Sequence, residues 1–353
     1  MKFIHLSNVR LFAPQKENPF GINFPIEQLE ALQHTLKTCK EKGVDALFIT
    51  GNLFDSAPTT RMLSEVDEMF REVPNTRVFI LTGKRDQARE GDAYTTYEWK
   101  SNTTVFTGDC IQRVFVRKYN LEVTGIGFSP KTWDKVSVEK MTAGKKGRYQ
   151  ILLLPGMKTG LSEEEMRALK TPFDYIGVGG EDVMFSEVVD RAYAPGDFTP
   201  MDFTNQLEHG MIVGDIENPK NGVTAHFEPG DNREFITLRV ETNESMTYGD
   251  VERETDRIMR EYGRRHIYRI LITGETSPEL YFEKDRLKDL GNVLSVEDNT
   301  NRREAIEKLM QAHEGDALGR FIRNMLPDDD QEIRQKAMKY GVEALLKTQG
   351  KEE

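Results

Sequence analysis

Cysteine is nearly absent from this sequence. Its 353 residues include only two, Cys39 and Cys110, which lie far apart along the chain. This scarcity excludes a disulfide framework and a thiolate metal motif, and it suits a reducing compartment. Long apolar runs are also missing, and the chain starts without a basic and then apolar leader. We therefore expect a cytoplasmic protein with no membrane segment.

Histidine is also scarce, and the chain has no excess of positive charge. No two of the six histidines have the spacing of a metal motif; they are His5, His34, His209, His226, His266 and His313. His5 falls in the first predicted strand, where we expect an ordinary hydrogen-bonded core or edge histidine. The net charge of −11 argues against a broad nucleic-acid surface, so the sequence supports DNA binding only weakly.

Apolar and charged residues are present in the proportions of a globular protein, 37% and 30%. A single core rarely grows beyond about 250 to 300 residues, so the chain has room for an α/β core and a smaller domain. Five short apolar runs end in glycine or polar residues: 3–10, 46–55, 78–86, 151–156 and 175–182. Because open α/β sheets bind ligands at the carboxyl ends of their strands, we expect these five ends to line one crevice.

Two helical patterns separate the first three runs. Pro25 opens the first helix and Gly43 ends it, while the second helix starts after Thr59. The alternation of strand and helix predicts βαβ units and a parallel sheet. An antiparallel hairpin is predicted over residues 113–124, and a last strand of this domain over residues 187–194.

The order and spacing of the five strand ends resemble the calcineurin-like metallophosphoesterases, and in particular the SbcD-type DNA repair exonucleases. At these points that family reads D-x-H, G-D-x-x-D, G-N-H-D, a lone H, and G-H-x-H. The resemblance implies an α/β fold: a calcineurin-like sandwich of mixed sheets flanked by helices, with a smaller α+β capping domain and C-terminal helices. It places the phosphoesterase-like domain at residues 1–205, the capping domain at 206–299 and the C-terminal helical segment at 300–353.

In the family these motifs hold two metal ions, usually manganese, but here most of the ligand positions hold other residue types. The positions are Asn8, Arg10, Asn52, Lys84, Arg85, Pro155, Gly180 and Asp182, and only the last keeps a side chain that ligates metal well. Asparagine keeps the shape of aspartate without its charge, and a guanidinium has no lone pair to offer. At an effective dielectric constant of about 20, a unit cation about 4 Å from a divalent ion costs roughly 8 kcal/mol. We therefore predict no bound metal, no cofactor and no catalytic residue.

The three cations at these positions, Arg10, Lys84 and Arg85, allow two interpretations. In the first they pair with Glu181 and Asp182 and fill the former metal cavity with salt bridges. In the second they form an anion pocket that binds phosphate without hydrolysing it. The remaining alternative is catalysis through another constellation of residues.

The resemblance implies three functions in order of preference. The first is an SbcD-like DNA repair exonuclease homologue that has lost its dimetal ligands and serves as an inactive scaffold or regulatory subunit. The second is an active metal-dependent phosphodiesterase or exonuclease with an atypical site, and the third is a non-catalytic phosphate or nucleotide binder. In the family the C-terminal helices grip an SbcC-type ATPase and the chains commonly form dimers, so an SbcC-like partner and a homodimer are expected by analogy.

Overall fold

The computed structural model describes most of the chain, and the account below concerns those residues. They are 1–14, 18–108, 110–130, 141, 144–145, 147–156, 173–179, 186–189, 191–204, 208–218, 222–276, 282–300, 303–325, 340–342 and 344–345. The chain divides into two compact units, Met1–Arg233 and Glu234–Glu353. Gly180 and Asp182, the last two predicted site positions, lie outside the described residues, as does Glu181.

The first unit contains twelve described strands in two six-stranded sheets. In chain order the strands are β1 Lys2–Leu6, β2 Ala46–Thr50, β3 Arg77–Leu81, β4 Thr103–Phe106, β5 Gln112–Val116, β6 Leu121–Gly125, β7 Tyr149–Leu154, β8 Tyr175–Val178, β9 Ser186–Val189, β10 Ala192–Ala194, β11 Gly210–Asn218 and β12 Gly222–Pro229. The first sheet has the order β12-β11-β1-β2-β3-β4 and the second the order β5-β6-β7-β8-β10-β9. Both sheets are mixed, with a parallel centre and antiparallel pairs toward an edge.

Among the described residues, three α-helices accompany these strands: α1 Phe24–Lys42, α2 Thr60–Arg71 and the short α3 Ala93–Thr96. The side chain of Asn23 caps α1 by accepting from the backbone N–H of Ile26, and Gly43 ends the helix with φ 64°. Thr59 caps α2 in the same way by accepting from Met62 N–H. The βαβ units and the parallel sheet predicted from the sequence are thus confirmed.

The core of the first unit lies in layers. The two sheets pack face to face through large side chains such as Phe3, Phe48 and Phe79 on the first sheet and Ile151 and Tyr175 on the second. The outer face of the first sheet is covered by the apolar faces of α1 and α2, through Leu32, Leu36, Leu63, Val66 and Phe70. The fold is therefore α/β, with mixed sheets flanked by helices.

Residues 210–229 belong to the first sheet, whereas the sequence placed them in a capping domain from residue 206. Strand β11 pairs antiparallel with β1, with Phe3 opposite Gly214, and β12 extends the same sheet. A Cβ atom on Gly214 would lie 2.1 Å from the Phe3 ring, so glycine makes this pairing sterically accessible. The second compact unit accordingly starts at Glu234.

Two predicted strand elements are also resolved more finely. The predicted hairpin over 113–124 is formed by β5 and β6, which pair antiparallel. The single strand predicted over 187–194 is instead two antiparallel strands, β9 and β10, with Arg191 at φ 67° between them. A left-handed residue reverses the chain there, so one straight strand cannot continue.

The second unit is built on a parallel three-stranded sheet, β13 Phe235–Thr242, β14 Ile267–Gly274 and β15 Val293–Asp298, in that order. Helices described in this unit include α4 Tyr248–Tyr262, α5 Lys284–Lys288, α6 Arg303–Ala312 and α7 Ala317–Met325. A reciprocal capping box between Thr247 and Asp250 starts α4. The core joins Val240 and Ile270 of the sheet to Val251 and Met259 of α4.

Within the described residues, no helix is both long enough and apolar enough to cross a membrane.

Candidate functional site at the strand ends

The carboxyl ends of β1, β2 and β3 lie side by side because these strands are parallel neighbours. The ends of β7 and β8 in the facing sheet reach the same place. A Cβ atom on Gly51 would lie 3.4 Å from Gly83 Cα and 3.8 Å from the carbonyl oxygen of Pro155. A Cβ atom on Gly179 would overlap the carbonyl oxygen of Thr50. The glycines therefore let the backbones of the two sheets touch at this edge.

Two asparagines occupy the centre of this edge and are hydrogen-bonded to each other. Asn52 Nδ2 donates to Asn8 Oδ1 at 2.7 Å, and Asn8 Nδ2 donates to a carboxylate oxygen of Asp197 at 2.8 Å. Asn52 Oδ1 accepts from the backbone N–H of Arg85 at 2.9 Å. We call these four residues the amide ladder. Both asparagine side chains are buried, and the amide oxygen of each already accepts an N–H group.

The loop after β1 adopts an unusual backbone conformation that fits this ladder. Asn8, Arg10 and Phe12 have φ values of 48°, 53° and 61°, and Asn52 in the adjoining loop has 50°. Asparagine tolerates the left-handed region, whereas arginine and phenylalanine adopt it at a cost. Backbone bonds hold the loop there, since Asn8 N–H donates to Gly51 O at 3.2 Å and Arg10 N–H to Asn52 O at 2.9 Å.

Asp55 holds two of the three predicted cations. Arg10 donates to one oxygen of Asp55 through Nε at 2.9 Å and Nη2 at 2.8 Å, and Arg85 approaches the same oxygen at 3.3 Å. The side chains of Arg10 and Asp55 are 19% and 17% exposed, so their pair is shielded more than a surface salt bridge. Lys84 is exposed in the same loop as Arg85. Arg10 and Arg85 thus pair with Asp55, while Glu181 and Asp182, the partners predicted from the sequence, lie outside the described residues, so that pairing stays a prediction.

Asp86 fastens the loops after β2 and β3 to each other. Its side chain is fully buried and accepts from Gly83 N–H at 2.7 Å, from Phe54 N–H at 3.1 Å and from the Tyr94 hydroxyl at 3.1 Å. Burial raises the pKa of Asp86 to about 6, although the three donors partly oppose that rise. The carboxyl group is thus a structural anchor beneath the site.

His5 is a structural residue, as the sequence predicted. It is fully buried, its Nδ1 lies 2.7 Å from the Tyr175 hydroxyl, and its Nε2 lies 2.7 Å from Thr50 Oγ1. Burial lowers the pKa of His5 to about 3, which keeps the ring neutral. Because both ring nitrogens are engaged inside the sandwich, His5 offers no lone pair to a ligand in the crevice.

The donor set of the described site residues fits a pair of divalent ions poorly. No group of three or more His, Cys, Asp or Glu side chains is close enough to hold a metal ion in the described part of the chain. The amide oxygens of Asn8 and Asn52 are engaged, and Asp55 is bound to two guanidinium groups. Pro155 contributes only a buried backbone carbonyl near Gly51.

Two participants in the site were not singled out from the sequence. Asp197 reaches Asn8 across 189 positions of the chain, and no local pattern marks it. Asp55 lies in sequence after Arg10 and before Lys84 and Arg85, and an acidic residue in the loop between them is a signal that could have marked it as their ion-pair partner.

Comparisons with known proteins give a distant structural similarity but no family. No family model matches the sequence, and no curated protein matches it. Among the 77 chains of solved structures that do match is the crystal structure of TT1561 of Thermus thermophilus. It has 15% sequence identity and a TM-score of 0.39, and the match covers 64% of this chain and 98% of that one.

Proposed function

We propose that this protein is a calcineurin-like, SbcD-like phosphoesterase homologue that has lost its dimetal ligands and acts as a scaffold or regulatory subunit. The observation that carries the proposal is the amide ladder. Asn8 and Asn52 stand at positions where the resembling family has metal ligands, and here they bond to each other instead. The resemblance in motif order supports the choice of family, and the amide ladder supports the loss of metal chemistry.

Charge supports the same conclusion. Arg10 and Arg85 bring two permanent cations to the edge where a dinuclear site would need anionic ligands. Each would repel a divalent ion by roughly 8 kcal/mol at about 4 Å in a medium of effective dielectric constant about 20. Asp55 pairs with both guanidinium groups, so its carboxylate is already engaged.

The partner in this proposal is an SbcC-like ATPase bound through the C-terminal helices of a cytoplasmic complex. Helices α6 and α7 place Leu309, Leu318 and Ile322 in one small apolar cluster with Val342. Phe321 and Met325 lie only partly buried against that cluster. A helical segment with its own small core and partly exposed apolar side chains is suited to docking on another helical protein. DNA contact and a homodimer remain predictions from the resemblance.

The first test is the metal content of the purified protein after incubation with excess manganese, together with a nuclease assay on linear duplex DNA. We expect no stoichiometric metal and no cleavage. Cleavage that depends on manganese and disappears in Asn52→Ala would overturn the proposal and favour the active, atypical phosphodiesterase. His34→Ala, an exposed change on α1, serves as the matched control because it lies away from the strand ends.

One geometric observation favours the phosphate or nucleotide binder as a second candidate. Arg10 and Arg85 converge on a single oxygen of Asp55, and Arg85 keeps 36% of its side chain exposed. Two guanidinium groups that converge on one point are the kind of donors that bind phosphate and carboxylate groups. Isothermal titration with inorganic phosphate and with a nucleoside diphosphate tests this candidate. Binding that is lost in Arg85→Glu would support it, and equal heats for the two proteins would exclude the pocket.

A further inference from the structure

The two arginines that pair with Asp55 place three nitrogen atoms around a single oxygen. Arg10 reaches Asp55 Oδ1 through Nε at 2.9 Å and through Nη2 at 2.8 Å, and Arg85 Nη1 reaches the same atom at 3.3 Å. A guanidinium and a carboxylate frequently pair through two parallel hydrogen bonds to two oxygens. Here the donors instead converge on one oxygen, so the two arginines form a site for an oxyanion.

Asn52 holds the backbone of both arginines. Arg10 N–H donates to the backbone oxygen of Asn52 at 2.9 Å, and Arg85 N–H donates to its side-chain oxygen, also at 2.9 Å. Asn52 itself is buried. Because one buried residue fixes the backbone at both positions, part of the cost of ordering the two long side chains is already met by the fold. The amide ladder thus supports the oxyanion site.

The backbone of Asp55 is fixed to the loop that carries Arg10. Asp55 N–H donates to Leu11 O at 3.2 Å, and Leu11 pairs with Phe54 in a parallel bridge. The carboxylate of Asp55 is therefore tethered next to the Arg10 guanidinium. A tethered group acts at a much higher effective concentration than a free anion. An anion from solution has to compete with Asp55 for the same nitrogens.

We infer that Asp55 blocks an oxyanion site made by Arg10 and Arg85, and that a phosphate group binds there when it displaces the Asp55 carboxylate. For its ligand the inference rests on the second candidate under the proposed function, the phosphate or nucleotide binder. A phosphate group carries several acceptor oxygens, so the three nitrogens that crowd one oxygen of Asp55 can bond to different oxygens of phosphate. When a site is open in only a fraction of the molecules, its apparent affinity is reduced by that fraction.

Removal of the competing carboxylate tests the inference. We expect Asp55→Ala to bind inorganic phosphate roughly tenfold or more tightly than the unchanged protein, as measured by isothermal titration calorimetry. Asp55→Asn keeps the shape of the side chain and removes its charge, so the affinity should rise in the same direction. Circular dichroism checks that each variant is folded, and the asparagine variant serves if the alanine variant is not.

The matched control is Glu68→Ala on α2. Glu68 binds Arg71 through both carboxylate oxygens at 2.8 Å, and both side chains are exposed. Its removal makes the same change in net charge and releases one guanidinium where no second arginine converges, so phosphate affinity should not change. Arg10→Gln added to Asp55→Ala should abolish the gain in binding.

The outcomes separate this inference from the function on which it rests. Phosphate binding that is equally tight in the unchanged protein and in both Asp55 variants would overturn the block by Asp55 and leave the phosphate binder standing. Binding in the Asp55 variants alone would support the blocked site and reject phosphate binding as a function of the unchanged protein. An equal gain in Glu68→Ala, a gain that survives Arg10→Gln, or no phosphate binding in any of these proteins would overturn the inference.

Discussion

The two units of this protein each contain parallel strand ends, but only one set has the features of a site. At the ends of β13 and β14 in the second unit, Thr242 Oγ1 donates to the backbone oxygens of Thr273 and Glu275 at 3.0 and 2.9 Å. These neutral bonds close the end of the sheet. At the ends of β1 and β2 in the first unit, buried amides and an ion cluster stand in the equivalent place.

Backbone conformation separates the two sets of strand ends as well. Six non-glycine residues with positive φ occur in the described chain, and four of them, Asn8, Arg10, Phe12 and Asn52, lie at the strand ends of the first unit. In the second unit the residue with positive φ at the end of β14 is a glycine, Gly274, with φ 95°. Residues in sparsely populated conformations cluster at functional sites, where the surroundings hold them in place. Parallel strand ends alone therefore do not make a site; the polar core and the strained loop distinguish it.

Removal of the Asp86 carboxylate should have the largest effect on the strand ends of the first unit, measured as a loss in the free energy of unfolding. In Asp86→Ala the buried N–H groups of Gly83 and Phe54 and the hydroxyl of Tyr94 lose their acceptor. An unsatisfied buried donor costs about 1–3 kcal/mol, so we expect a loss of roughly 3–5 kcal/mol in the free energy of unfolding. Urea denaturation followed by circular dichroism measures this value. A loss below about 1 kcal/mol would show that the loops are held by other contacts.

The titration of Asp86 should make the free energy of unfolding fall with rising pH, which is opposite to the effect of an ordinary salt-bridged carboxylate. Its pKa is about 6 in the folded protein and close to 3.8 when unfolded, so the folded state holds the proton more tightly. The contribution of Asp86 to the free energy of unfolding is therefore fully present below pH 3.8 and is lost as the pH rises through 6. The total loss is roughly 3 kcal/mol.

Comparison with Asp86→Asn isolates this effect, because asparagine does not titrate. The difference in unfolding free energy between the unchanged protein and this variant should shrink as the pH rises from about 4 to about 6. A difference that stays constant or grows over that interval would mean that the three hydrogen-bond donors outweigh the desolvation of the carboxylate.

Asn52→Asp tests whether the stability of the amide ladder depends on the N–H group that Asn52 donates to Asn8. The change removes the N–H group that Asn8 Oδ1 accepts and brings two oxygens together in a buried place. We expect a loss of roughly 2–3 kcal/mol in the free energy of unfolding. The melting temperature should not rise on addition of manganese, because Arg10 and Arg85 remain. A large manganese-dependent rise would mean that one carboxylate suffices to restore a metal site.

Much of the local structure could be predicted from the sequence, while the long-range pairings could not. The caps of α1 and the apolar runs of β1 to β3 are encoded within a few residues of one another. The pairing of β1 with β11, and the bond from Asn8 to Asp197, join positions about two hundred residues apart. Contacts between positions so far apart in the chain produce no short-range pattern in the sequence. The order of the motifs indicated which loops meet, but it did not indicate that Asp55 would pair with the arginines.

The smallest effect is expected at the strand ends of the second unit. Thr242→Val keeps the shape of the side chain and removes the hydroxyl that bonds to Thr273 and Glu275. Since a neutral hydrogen bond contributes about 1 kcal/mol, the free energy of unfolding should fall by about that amount, well below the effect of Asp86→Ala. The same urea denaturation experiment measures both. Equal losses in the two variants would contradict the view that polar groups at the first set of strand ends hold their loops more tightly than those at the second.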